Sequence, residues 1–202
     1  MKQILLLSLA LLLTISGFAQ QSAKDMFLSG NKKFKSGKYE DAIKDYDEVL
    51  KLEPGHVVTL TNRGVAKDRL LNYRSAIEDF TKAIELDPAH AEAYFSRGLS
   101  KYNLKDYRGA ILDFDKAIEL DGTQAKAYNN RGLARYGIKD YAGAISDYTK
   151  AISLNTKYAE AYYNRGAPRY NLGDKANACT DWNRAKALGI KDVDHYLQSY
   201  CK

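Results

Sequence analysis

Glycine returns at positions 30, 64, 98, 132 and 166, and an alanine follows each after twelve residues, at Ala42, Ala76, Ala110, Ala144 and Ala178. A spacing of 34 held through five copies, without insertion or deletion, restricts the chain to a small set of folds. Each copy is one supersecondary unit, and neighbours bury what none can bury alone. Between the glycines, apolar residues recur at steps of three and four, as in "YAGAISDYTKAISL" over 141–154. That spacing predicts an amphipathic helix. A shorter helix precedes it in each copy, and the two meet at "GKY", "NY", "KDY", "KDY" and "GDK". Each copy is therefore expected to be an antiparallel helix pair, and the fold all-α.

Glycine inside a helix costs about 1 kcal/mol relative to alanine, so its return needs a packing reason. The expected one is close approach of two helix backbones, with the alanine twelve residues on lying against the glycine. The aromatics Tyr46, Phe80, Phe114, Tyr148 and Trp182, four residues after each alanine, then fill the space between pairs. Such rings can also serve as a stacking platform for bases, but a ladder at helical spacing is ordinarily core.

The glycine, the alanine, the aromatic, a further small residue at Val49, Ala83, Ala117, Ala151 and Ala185, and the closing prolines Pro54 and Pro88 together resemble the tetratricopeptide repeat family. Gly122, Thr156 and Ile190 replace the proline in later units. The resemblance implies a right-handed alpha-alpha superhelix, a solenoid, with units over 23–56, 57–90, 91–124, 125–158 and 159–192, preceded by a short extension at 20–22 and followed by a capping helix over 193–202.

The first nineteen residues, "MKQILLLSLALLLTISGFA", join one lysine to an apolar run from Ile4 to Ile15 and small residues at Gly17 and Ala19. This is the pattern of an export signal cleaved after Ala19. The run falls short of the roughly 20 apolar residues that a membrane-spanning helix needs. No cysteine stands near Gln20 to carry a lipid. The expected mature chain is exported, periplasmic or secreted, without a membrane span. Losing Lys2 takes the formal charge from +6 to +5. Acidic and basic residues are interspersed in every segment with no basic block, which reads as a solvated surface rather than a nucleic-acid or lipid patch.

Arg63, Arg97, Arg131 and Arg165 precede four of the five glycines, with Ser29 before the first, while Asp45, Asp79, Asp113, Asp147 and Asp181 precede all five core aromatics. These columns predict ion pairs between helices. Pairing within a unit leaves Asp45 over; pairing forward to the next unit leaves Asp181. A third arrangement pairs the last four aspartates with the Lys or Arg three residues on, worth about 0.2–0.5 kcal/mol each. In every case the arginines are architecture, not catalysis.

The resemblance implies that the first helices line a concave groove. On the corresponding face stand Phe27, Asn31 and Phe34; Thr61, Val65 and Asp68; Phe95, Leu99 and Tyr102; Asn129, Leu133 and Tyr136; and Tyr163, Ala167 and Tyr170. Beside them run Asn62, Asn130 and Asn164, with Ser96 in the third unit. Rings supply buried area and amides can bond peptide groups, so the expected ligand is an extended or helical peptide. The alternative is that the rings only pack the inner helix layer. Cytosolic co-chaperone members of the family clamp a C-terminal carboxylate with lysine, arginine and asparagine. The matching positions here are Phe27, Asn31, Asn62, Glu92 and Ser96, or Phe95, Leu99, Asn130, Glu160 and Asn164. The asparagines partly survive and the cations do not, so the groove is expected to read something less acidic.

At the C-terminal end, Val193, Tyr196, Leu197, Tyr200 and Cys201 fall at helical spacing. The isoleucine of the earlier units, at 43, 77, 111 and 145, becomes Cys179 in the fifth. Two cysteines on facing apolar stripes of an exported chain predict a Cys179–Cys201 disulfide, worth about 3 kcal/mol in the chain-entropy model. Two buried thiols are the alternative. Pro168, inside the first helix of the fifth unit, removes a backbone hydrogen bond at a cost of about 3 kcal/mol. It predicts either a kink near Asn164 that opens the groove or a tolerated substitution.

His56 and His90 fall at turns between units and His195 on the cap, with no Ser–His–Asp set, phosphate loop or metal spacing around them. No enzymatic activity, metal or cofactor is expected. The function class that remains is a protein–protein interaction scaffold binding a peptide segment of another envelope or secreted protein. The alternatives are a structural component of an envelope assembly, with the N-terminal unit open to homodimerisation, and behind it a polyanion-binding module.

Overall fold

The computed structural model describes residues 20–201, so the export pattern of 1–19 lies outside the described residues. Among the described residues every regular element is an α-helix, and no helix is long and apolar enough to cross a membrane. They form two compact units divided between Ala93 and Tyr94. The first holds α1 (20–35), α2 (Tyr39–Leu52), α3 (Val57–Arg69), α4 (Tyr73–Leu86) and the first residues of α5 (Ala91–Asn103). The second holds the rest of α5, then α6 (Tyr107–Leu120), α7 (Ala125–Gly137), α8 (Tyr141–Leu154), α9 (Ala159–Asn171), α10 (Lys175–Ala187) and α11 (Asp194–Tyr200). Within the first, α2 packs on α3 and α3 on α4. Within the second the same order runs from α6 to α11, and α7 also touches α9, so first helices of successive pairs are neighbours. Each unit is the all-α stack of helix pairs that the period requires.

The turns inside the pairs are built alike. Gly37, Leu71, Lys105, Lys139 and Gly173, again 34 apart, have φ of 75°, 63°, 64°, 65° and 85°. Two backbone bonds close each turn: Lys38 N to Lys33 O and Gly37 N to Phe34 O at 3.0 Å in the first, Asp140 N to Arg135 O and Lys139 N to Tyr136 O at 2.9 Å in the fourth. This left-handed closure satisfies the last carbonyls of the first helix. In the last three turns an aspartate then starts the second helix, Asp106, Asp140 and Asp174 accepting from the backbone N of Gly109, Gly143 and Asn177. The acceptor replaces a bond that the helix cannot make for itself.

The five ladder aromatics are buried to 1% exposure or less and form the core. They also correct the expected partner of the glycines. A Cβ at Gly30, Gly64, Gly98 or Gly132 would stand 2.7, 2.6, 2.8 or 2.7 Å from Tyr46, Phe80, Phe114 or Tyr148, and one at Gly166 would collide with Trp182. The nearest neighbour is thus the ring sixteen residues on, not the alanine twelve on. Antiparallel pairing brings residues i and i+16 face to face, and a close-packed ring needs the space a side chain would take.

Pro168 does not interrupt α9, which runs from Ala159 to Asn171 with the proline fully buried. The next turn continues through it, Leu172 N donating to Pro168 O at 3.1 Å.

Candidate peptide-binding surface

Phe27, Asn31, Phe34, Asn62, Phe95, Tyr102, Asn130, Tyr136, Tyr163, Asn164 and Tyr170 are all half-buried. The cause is local. Ring centroids of Phe34 and Tyr39 lie 5.3 Å apart, those of Tyr102 and Tyr107 5.4 Å, and those of Tyr136 and Tyr141 5.5 Å. Each pair is five residues apart across the turn, and at the same place in the last turn Lys175 Nζ sits 5.6 Å from the Tyr170 ring. One side of the ring is held by the start of the second helix, while the rest stays accessible. Phe27 packs on His56 at 5.4 Å, and Phe95 on Phe114 at 5.8 Å.

Within residues 20–93 these side chains border a cleft of ≈ 390 Å³ lined by Asn31, Phe34, Lys35, Tyr46, Asn62, Val65 and Glu92. Asn31 Oδ1 accepts from the Tyr46 hydroxyl at 2.8 Å and from Asn62 Nδ2 at 3.1 Å. Burial, with the Asp45 charge beside it, pushes the Tyr46 phenol up to about 12. In residues 94–201, Asn164 Nδ2 donates to Asn129 Oδ1 at 3.0 Å, and Asn130 Nδ2 to its own helix at Lys126 O at 2.8 Å. One N–H of each amide is therefore committed inside the protein. The side-chain carbonyl oxygens of Asn62, Asn130 and Asn164 find no donor among the described residues. Thr61, Ser96 and Asn129, expected on the same face, are instead buried. Thr61, for one, turns its hydroxyl onto Val57 O at 3.0 Å.

The charge columns pair within units. Arg63 Nε and Nη2 donate to Asp79 Oδ2 and Oδ1 at 2.9 and 2.6 Å. The same fork joins Arg97 to Asp113, Arg131 to Asp147 and Arg165 to Asp181. Asp45 has no arginine and takes Lys33 Nζ at 2.7 Å. Among the described residues the four buried aspartates form no ion pair with the cation three positions on; Lys116, for example, goes to Glu119 at 2.7 Å. Burial alone would lower the Arg63 and Arg131 guanidinium pKa, yet the aspartate bonds hold both above the ordinary value.

Two features of this network were missed in the sequence. Each buried aspartate carries a second cation, Lys67, Lys101, Arg135 or Arg169, at 2.8, 2.8, 3.0 and 2.7 Å. The signal was there, a cation column at 33, 67, 101, 135 and 169 with the period of the glycines. The arginines also reach a second helix: Arg63 Nη1 donates to Asp47 and Arg131 Nη1 to Asp115, both at 2.6 Å, and Arg165 Nη1 to Thr149 Oγ1 at 2.9 Å.

Cys179 and Cys201 are joined in a disulfide, with Cα atoms 5.6 Å apart. It fastens α11 to α10. Val193, fully buried, precedes the helix, and Tyr196 and Tyr200 lie 5.0 and 6.1 Å from Trp182. Tyr163 and Tyr170 are drawn into this cluster, 5.7 Å from Tyr196 and 4.6 Å from Tyr200. Burial, with the Tyr196 hydrogen bond, pushes the Tyr163 phenol up to about 12. Tyr200 stands 34 residues after Gly166, in the glycine's place, and no ring from a following helix presses on it among the described residues. Among the same residues no group of three or more His, Cys, Asp or Glu could hold a metal ion.

Models of the tetratricopeptide repeat match residues 27–56, 61–129 and 125–158. No curated protein matches the sequence. Among solved structures, MamA is 30% identical, with 82% of this chain and 96% of that chain covered and a TM-score of 0.75. The first tetratricopeptide domain of Spaghetti (RPAP3), bound to the HSP90 peptide SRMEEVD, is also 30% identical, covering 58% of this chain and 94% of that one at a TM-score of 0.57. YrrB, described as having an unusual peptide-binding site, shares the fold at 17% identity, with coverage of 89% and 93% and a TM-score of 0.74.

Proposed function

The chain belongs to the tetratricopeptide repeat family, and from that premise we propose that it is a non-enzymatic interaction module whose first helices hold a peptide segment of another protein. The observation that carries the reading is the half-burial of the first-helix rings beside asparagine carbonyls without donors. Rings fixed on one side lose little freedom when a ligand covers the other, so their area converts efficiently into affinity. Carbonyl acceptors ask for peptide N–H groups.

The RPAP3 domain holds a peptide ending in Glu-Glu-Val-Asp. This chain has Glu92 beside its cleft where the clamp of the co-chaperones has a cation, so its ligand is less acidic. The mature chain is exported through residues 1–19 and the partner is an envelope or secreted protein; the Cys179–Cys201 bond is compatible with an oxidising compartment.

The test is peptide selection from a displayed library against the whole chain, followed by affinity measurement on Tyr102→Ala, Tyr136→Ala and Asn62→Ala variants whose helical circular dichroism is unchanged. A loss of at least tenfold is expected for the ring variants, roughly what one buried aromatic anchor supplies. Selected peptides that bind all three variants as well as the native chain would sink the proposal.

A further inference from the structure

Five aspartates occupy equivalent places in successive helix pairs, and four of them are served by two cations each. Asp79 takes the fork of Arg63, sixteen residues earlier, and Lys67 Nζ, twelve earlier. Asp113, Asp147 and Asp181 repeat the arrangement with Arg97 and Lys101, Arg131 and Arg135, and Arg165 and Arg169. The second place accepts lysine or arginine. The fork place is arginine in all four copies, as expected where a planar guanidinium must meet both carboxylate oxygens at once.

The first copy is incomplete. Asp45 keeps its second cation, Lys33, whose Nζ lies 2.7 Å from both oxygens and hydrogen-bonds Oδ1. The fork position is Ser29. Asp45 Oδ2 is buried and rests on the Lys33 ion pair alone, with no guanidinium fork to complete it. Beside it opens a cleft of ≈ 490 Å³ lined by Gln21, Ser22, Asp25, Met26, Ser29 and Asp45. Asp25 lies one helical turn before Ser29, and its Oδ1 accepts from Gln21 Nε2 at 3.0 Å. With Lys33 counted, Asp25 and Asp45 leave the cleft one negative charge in excess.

We propose that this cleft is a guanidinium-binding site, filled by an arginine side chain from a partner polypeptide. The incoming guanidinium takes the place that Arg63, Arg97, Arg131 and Arg165 take within the chain. It pairs with the Asp45 carboxylate beside Lys33, while Asp25 and the Ser29 hydroxyl accept its remaining N–H groups. Lys33 is no obstacle, because Lys67 and Lys101 share their aspartates with an arginine in the same way. The site lies on α1 and α2 away from the Phe34–Val65 cleft and does not depend on the peptide-binding proposal.

The experiment uses capped arginine amide as the probe and capped lysine amide as its comparison, titrated into the whole isotope-labelled chain and followed by NMR. Saturable shifts confined to Ser29, Lys33, Asp45 and their neighbours are expected with arginine, and at least tenfold weaker binding with lysine. Ser29→Arg fills the cleft from inside, so it should abolish the response and raise the thermal midpoint. Asp45→Asn, which keeps the side-chain shape, should weaken arginine binding at least tenfold even if the Ser29 variant folds poorly. The proposal is overturned by arginine shifts that never saturate, by equal responses to both probes, or by an Asp45→Asn protein that binds arginine as the native chain does.

Discussion

The first helix pair and the fifth begin from one pattern and are finished differently. In the fifth, Asp181 is 2% exposed between Arg165 and Arg169, Trp182 fills the core, and α11 is bonded over them through Cys179–Cys201. In the first, Asp45 has Lys33 alone, and Tyr46 turns its hydroxyl to Asn31. The contrast separates two things that a repeat confounds. The ring and the glycine are demanded by the pairing of two helices and appear in both. The complete charge site and the apolar cover depend on what lies beside the pair.

The sharpest way to break the comparison is to remove the aspartates one at a time. Asp181→Ala strands two largely buried guanidinium groups and should cost about 3–5 kcal/mol. Asp45→Ala frees one lysine whose side chain is 36% exposed, and should cost about 1 kcal/mol or less. Urea unfolding of the two variants measures the difference; equal losses would mean that the arginine fork adds nothing to a lone lysine. Next in size, replacing both Cys179 and Cys201 with serine should cost about 3 kcal/mol by restoring freedom to the unfolded chain. Near-ultraviolet circular dichroism should lose the Trp182–Tyr196–Tyr200 signal first, whereas the first pair should keep its hydrogen-exchange protection.

Alkaline titration reads the core position that is tyrosine in the first pair and tryptophan in the fifth. Tyr46 has a folded-state pKa of about 12 against about 10 for a free phenol. The unfolded chain releases that proton first, so stability is level below about pH 10 and falls as pH rises towards about 12. Tyr148, raised further by burial, and Tyr163, pushed up to about 12, add to the fall, while Trp182 itself does not titrate. Tyr46→Phe should make the fall shallower in a pH series of thermal midpoints, while lowering the neutral-pH value through the lost Asn31 bond. The smallest effect belongs to the turns. Leu71→Gly, Lys105→Gly or Lys139→Gly relieves a side chain held at positive φ and should stabilise by up to about 1 kcal/mol. Gly37→Ala, at φ 75°, should destabilise by a similar amount. Opposite signs in calorimetry are the test.

Much of this was legible in the residues. The period set the helix pairs, and the aromatic column set the core, because a spacing of 34 with apolar steps of three and four has one good packing solution. The arginine and aspartate columns were visible, but whether Asp45 or Asp181 lost its arginine was not. That depended on which helix face meets which, and sequence spacing does not carry the angle between helices. The left-handed turns were hidden because only two of the five residues there are glycine. Half-burial of the first-helix rings was also invisible: Phe34 stood on the expected groove face and Tyr39 in the turn, and spacing does not show that the turn folds one against the other.

The arginines have a consequence for elasticity. Arg63 grips Asp79 inside its own pair, where that carboxylate is 6% exposed, and Asp47 in the pair before, where it is 45% exposed. Arg131 divides its bonds likewise between Asp147, 3% exposed, and Asp115, 44% exposed. Dissolved salt screens the wet arm and scarcely touches the dry one. Added salt should therefore loosen the first pair from the second and the third from the fourth, while leaving the bonds inside each pair intact.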